Sequence, residues 1–237
     1  MSVETETQLF DFQGWTFRYR PAKRTPGRFL LLLHGLTGDE DSLWPFTRRL
    51  SPEYSILAPR APFPAPGGGH SWREMESGKW EFSSVNDLRA TAGSLLAFVA
   101  AWLEETGYLR GNLPLQFDLL GFSQGASMAY TFALLFPGRV RAVAALSGIL
   151  PAGAEALLSS QCLAGKAFFI ACGRKDGYTP VERVRRSVTL LEESGARVTY
   201  YDDADTGHEI SKECRKQMEI FFEDVLYQTN KVDGKRP

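Results

Sequence analysis

Histidine is scarce in this chain, three in 237 residues, and cysteine is no commoner. Cys162, Cys172 and Cys214 are odd in number, far apart and form no Cys-x-x-Cys. That argues against a disulfide framework or a zinc ribbon and for reduced structural thiols in a cytoplasmic protein. Charge of one sign is also missing. Lys and Arg total 27 against 28 Asp and Glu, a net charge of −1. Nucleic acid or an anionic membrane surface therefore has no electrostatic basis as a partner. No apolar run approaches the about 20 residues that span a bilayer. The acidic, polar start from Met1 to Gln8 is not that of an intact signal peptide. There is no Gly-x-Gly-x-x-Gly, no P-loop and no histidine pair at ligand spacing, so neither a cofactor nor a metal is expected.

What is present converges on residues 117–127, FDLLGFSQGAS. Phe117, Leu119, Leu120 and Phe122 form the near-continuous apolar run of a strand covered on both faces. From Gln124 to Leu135 the apolar spacing becomes helical, until Pro137-Gly138 stops it. Between them stands Gly121-Phe122-Ser123-Gln124-Gly125. A serine there sits on a tight strand-to-helix turn, with glycines where the two backbones nearly touch. Its hydroxyl would stand off the sheet edge, beside the Gln124 amide at a helix N-terminus.

Strands and helices alternate over the whole length. Residues 9–20 read as two short antiparallel strands broken at Gln13-Gly14. Central strands follow at Phe29–Leu33, Tyr54–Ala58, Val140–Leu146 and Lys166–Cys172, and a last one at Arg197–Tyr201. Asp41 or Ser42 is placed to cap a short helix. A long helix starts at Ser84 with Asp87 as a capping box, and another at Thr179-Pro180-Val181-Glu182. A final helix runs from about Ser211, and Gln228–Pro237 reads as a frayed polar tail. The expected fold is one α/β domain over residues 1–237, a mostly parallel sheet with helices on both faces. Only residues 60–82, with two tryptophans and Gly67-Gly68-Gly69, read as a long irregular segment of functional kind.

Open parallel sheets bind ligands at the carboxyl ends of their strands. In a strand-elbow serine hydrolase the chain order is Ser, acid, His, and His208 is the one histidine after Ser123. It lies between the last strand and the last helix. Asp176 is the only carboxylate in the loop after Cys172. It is preferred as the acid over Asp202, Asp203 and Asp205, which read as surface charges of a loop. Leu36, after His34-Gly35, supplies a second oxyanion amide opposite that of Gln124, with His34 shaping the loop. Trp72 is read as a wall of the substrate pocket, against core packing as the alternative.

The blocks HGLTGDED, GFSQGAS, CGRKDGYTP and TGHEI occur in that order over residues 29–222. In them the chain resembles the α/β-hydrolase superfamily, within it the carboxylesterase, lysophospholipase and acyl-protein thioesterase family. The resemblance implies an α/β-hydrolase fold with Ser123 as nucleophile, Asp176 and His208 as its partners and the amides of Leu36 and Gln124 as oxyanion donors. Similar members often carry glycine where Ala126 stands, and Thr37 is not the residue most expected after Leu36; it is kept as a candidate pocket residue. Between Ser147 and Lys166 there is too little chain for a lid domain. The expectation is a cofactor-free serine carboxylesterase acting on small esters. Thioester or lysophospholipid cleavage on the same triad is the alternative. A non-catalytic hydrolase-fold binding protein is the rival of a different class, disfavoured because all three reactive residues are present.

Overall fold

A computed structural model describes residues 8–23, 28–75, 81–107 and 116–232, with side chains described as far as Gln228. In chain order, β1 (Gln8–Phe12) and β2 (Trp15–Arg20) form a hairpin. Then come β3 (Arg28–Leu33), β4 (Tyr54–Pro59), the two-residue strands β5 (Phe63–Pro64) and β6 (His70–Ser71), and α1 (Val85–Glu105). β7 (Phe117–Phe122) leads into α2 (Gln124–Leu135), followed by β8 (Val140–Leu146), β9 (Ala167–Gly173), α3 (Val181–Glu193), β10 (Arg197–Asp203) and α4 (Lys212–Val232).

Eight strands make one sheet in the order β1-β2-β4-β3-β7-β8-β9-β10. β2 runs antiparallel to both its neighbours, and β4, β3, β7, β8, β9 and β10 are parallel. The alternation of side chains along each strand sorts the core into two layers. Leu31, Leu33, Leu119, Val143 and Ile170 face one cluster, into which α1, α2 and α3 pack. Leu30, Leu32, Leu120, Ala144 and Phe169 face the other, closed by Met218, Phe222 and Val225 of α4. This is the mostly parallel sheet, helix-covered on both faces, that the strand–helix alternation requires.

At the amino ends of the parallel strands, away from the elbow, a buried ionic cluster joins the layers. Asp118 is fully buried; it accepts from an Arg28 Nη2 at 3.0 Å and from the Tyr54 hydroxyl at 3.1 Å, with Arg141 Nε 3.6 Å away. Arg28 Nη1 also donates to the Val225 carbonyl of α4 at 2.8 Å.

Four local expectations change. The segment at 44–49 is a 3-10 turn capped by neither Asp41 nor Ser42. The Ser42 hydroxyl donates to Asp39 instead, and Asp41 pairs with Arg18 of β2. α3 has no side-chain cap, because the Thr179 hydroxyl is spent on the Ser147 carbonyl at 3.0 Å. β10 extends two residues further than expected and carries Asp202 and Asp203 within the sheet. α4 continues through Val232, into the stretch read as a tail; residues 233–237 lie outside the described ones. The Ser84–Asp87 capping box is present in both directions, at 2.7 and 3.2 Å.

Candidate active site

The elbow follows from two close approaches. A Cβ on Gly121 would lie 2.3 Å from the Gly125 carbonyl oxygen, and one on Gly125 would lie 1.9 Å from that of Leu33. A side chain at Gly121 would push α2 off β7, and one at Gly125 would push it off the end of β3. The turn between them holds Ser123 at φ 53°, ψ −117°, a conformation that L-residues rarely adopt. Its amide is tied to the Leu146 carbonyl at 2.8 Å.

Three distant loops at the carboxyl edge of the sheet then meet. His208 Nε2 lies 2.9 Å from Ser123 Oγ, and His208 Nδ1 lies 2.7 Å from Asp176 Oδ2. With Nδ1 donating to the carboxylate, Nε2 is left as the acceptor for the serine hydroxyl. Asp176 is held in turn: its Oδ1 accepts the amides of Tyr178 and Thr179, both at 2.8 Å.

The loop after β3 places Leu36 and Thr37 on the same cavity as Ser123 and Gln124. Among the described residues neither the Leu36 nor the Gln124 amide donates a hydrogen bond, so both are available to an incoming oxygen. Thr37 has φ 67°, and its amide donates to the His70 carbonyl at 3.0 Å, which ties the loop to the β5–β6 hairpin. His34 is almost fully buried. Its Nε2 accepts the Ala61 amide at 3.0 Å and its Nδ1 reaches the Gly35 carbonyl at 2.7 Å. Burial pushes its pKa down to about 4, so it stays neutral and shapes the loop.

Residues 20–226 match the model of the phospholipase/carboxylesterase family. The chain belongs to that family. Among solved structures it resembles the carboxylesterase of Bacillus cereus, 23% identical over 89% of this chain and 94% of that one, with a TM-score of 0.75. A carboxylesterase from Mesorhizobium loti is 25% identical over 92% and 98% of the two chains, with a TM-score of 0.74. MhqD of Bacillus subtilis (strain 168) is 23% identical over 204 residues, 86% of this chain and 96% of MhqD. The fold is the α/β-hydrolase fold, and this member of the phospholipase/carboxylesterase family is a carboxylic ester hydrolase.

Trp72 does not line the cavity of this phospholipase/carboxylesterase; the pocket-wall expectation is corrected. It is fully buried, with its indole N–H donating to the His34 carbonyl at 2.7 Å and its ring 5.1 Å from the His34 ring. Its amide donates to Gln124 Oε1 at 3.0 Å. Thr37, by contrast, does line the cavity. Asp202 is not a free loop carboxylate: it accepts from Arg174 at 2.7 Å and Arg185 at 3.0 Å, and the Arg174 hydrogen bond leads the lowering of its pKa. Asp205 pairs with Lys175 at the surface.

The cavity above Ser123 measures about 320 Å³, the low end of ligand pockets. Its cover comes from residues 60–82 as expected, through Arg73, Met75, Glu81 and Phe82; Lys79 and Trp80 lie outside the described residues. Phe122 and Tyr178 flank the imidazole, with ring centres 5.0 and 5.2 Å from that of His208. Sequence reasoning passed over both, although each stands within two residues of a triad candidate. The Gln124 side chain was missed as well. It bridges the elbow to the cover through Trp72 and, from its Nε2, Ser71 Oγ at 3.0 Å.

Proposed function

We propose that the chain is a cofactor-free serine carboxylesterase that cleaves small carboxylic esters through an acyl-enzyme on Ser123. The observation that carries this reading is the unbroken Ser123–His208–Asp176 chain of contacts at 2.9 and 2.7 Å. His208 takes the Ser123 proton as Oγ attacks the ester carbonyl, and Asp176 stabilises the imidazolium that results. The carbonyl oxygen, now negative, is received by the amides of Leu36 and Gln124; one such donor is worth about 10²–10³ in turnover. His208 then protonates the departing alcohol, and the same imidazole activates a water that releases the acid. A cavity of about 320 Å³ with a short cover favours small esters over long-chain lipids. The same attack would serve a thioester carbonyl. Trp72, Thr37 and the hairpin act by holding the Leu36 loop.

The test is fluorophosphonate labelling with hydrolysis of a chromogenic acetate ester, on the wild type and Ser123→Ala. Labelling and turnover in the wild type alone are expected. A wild-type protein that folds but neither labels nor hydrolyses acetate, butyrate or thioester probes would end this reading.

A further inference from the structure

The cavity holds one strong cation whose charge nothing in the described structure answers. Arg73 lines it, half-buried, two residues from Ser71 and next to Trp72, both of which bond the Gln124 side chain beside the nucleophile. Its Nη2 donates to the Glu81 carbonyl at 2.8 Å and its Nη1 to the Glu74 carbonyl at 3.2 Å. Its Nε is buried without a hydrogen-bond partner. Glu81 is the acidic residue of the cavity lining, but it is exposed and meets Arg73 through its backbone. Among the described residues Arg73 therefore contacts neutral acceptors only. Among the described residues Arg18, Arg28, Arg60, Arg141, Arg174, Arg185, Arg186 and Arg215 each face a carboxylate. Arg20, like Arg73, meets carbonyls, those of Thr47 and Ser51, but lies away from the cavity. A partly desolvated guanidinium without a counter-ion is costly to the protein alone and is relieved by a bound anion. Its planar fork suits a carboxylate.

We infer that Arg73 is a specificity-determining residue, and that the esters this site prefers carry a free carboxylate, as half-esters of small dicarboxylic acids do. This rests on the esterase reading of Ser123, whose substrate class it narrows. The bland account is that Arg73 only ties residues 74 and 81 together across the cover. The two differ in what they do to charged and neutral substrates.

The experiment compares mono-(4-nitrophenyl) adipate with 4-nitrophenyl hexanoate, which share leaving group and chain length and differ in the distal carboxylate. A second pair, 4-carboxyphenyl acetate and phenyl acetate, puts the carboxylate on the alcohol side. The expected result is that, for at least one pair, the wild-type kcat/KM ratio of charged to neutral ester falls about 10- to 100-fold in Arg73→Gln, mostly through KM, a charge-assisted bond being the thing lost. Arg73→Lys should recover part of the ratio. A ratio unchanged by Arg73→Gln in both pairs overturns the proposal and leaves the tie across the cover. Binding separates this from failure of the mechanism. In Ser123→Ala, calorimetric affinity for monomethyl adipate or for 4-carboxyphenyl acetate, one ligand for each side, should drop about tenfold or more on adding Arg73→Gln for at least one of the two. Equal affinities for both ligands overturn the inference whatever the turnover shows.

Discussion

The indole N–H of Trp72 and the carbonyl of His34 are 2.7 Å apart in a fully buried contact between the cover and the loop that carries Leu36. One aromatic side chain thus ties down the loop that carries Leu36, the proposed oxyanion donor, without lining the cavity. Trp72→Phe keeps most of the buried ring and removes the hydrogen bond, leaving the His34 carbonyl short of a partner. Turnover should fall by about tenfold, with KM changing less, because the defect lies at an amide that matters most in the transition state. Trp72→Ala should cost about 3–5 kcal/mol of stability in denaturant unfolding. If Trp72→Phe turns over like the wild type, the contact does not govern the Leu36 amide.

The acid can be identified by the contrast between two carboxylates. Asp176→Asn leaves the shape of the loop but no longer fixes the imidazole with Nε2 free. By analogy with triads in general, kcat should drop by about 10⁴ with little loss of stability. Asp202→Asn breaks ion pairs to two arginines that are about half exposed. Its turnover should stay within a few-fold of the wild type, and its stability within about 1 kcal/mol. The reverse pattern would hand the role to Asp202.

The elbow, His208 and Asp176 were legible because each is marked locally and chain order excludes the other histidines. The layers of the sheet were legible for a similar reason, since apolar runs such as Phe29–Leu33 can only be central strands. What escaped depends on partners remote in sequence. A threonine before Pro180-Val181 looks like a cap until Ser147, 32 residues earlier, takes its hydroxyl. An aromatic in a long irregular segment reads the same whether it faces a ligand or a loop, so Trp72 was placed on the wrong side of the cover. Arg73 carries no motif at all, and its interest lies in meeting carbonyls but no carboxylate among the described residues.

Burial of His34 makes stability depend on pH in a definite direction. Its folded pKa is about 4 and the ordinary value is 6.5. Above pH 6.5 neither state binds the proton. Between 6.5 and 4 the unfolded chain takes it up and the folded chain does not, so stability is lost as pH falls through that window. The loss should approach about 3 kcal/mol by pH 4, superposed on the other groups. Urea titrations at several pH values should show a shallower slope between 6.5 and 4 in His34→Gln than in the wild type. Parallel slopes would place the proton elsewhere.

A last test concerns the edge of the sheet opposite the candidate site. Asp118 is fully buried between Arg28 of β3 and Arg141 of β8, while Arg28 also holds the Val225 carbonyl of α4. Burial pulls the Arg141 pKa down, with Asp118 the leading opposing influence. Asp118→Asn preserves size and hydrogen-bonding capacity but removes the carboxylate that Arg28 and Arg141 share among the described residues, leaving two cations close together in a poorly hydrated place. Breaking such an arrangement from one side should cost about 3–5 kcal/mol, more than the attraction itself is worth, because the charges left behind remain desolvated. The elbow lies at the opposite ends of the same strands, so kcat on an acetate ester at 20 °C should be unchanged while the unfolding midpoint falls. Loss of turnover in a protein that still melts at the wild-type temperature would mean that the two ends of β7 are coupled, and that the cluster positions Ser123 rather than merely holding α4 to the sheet.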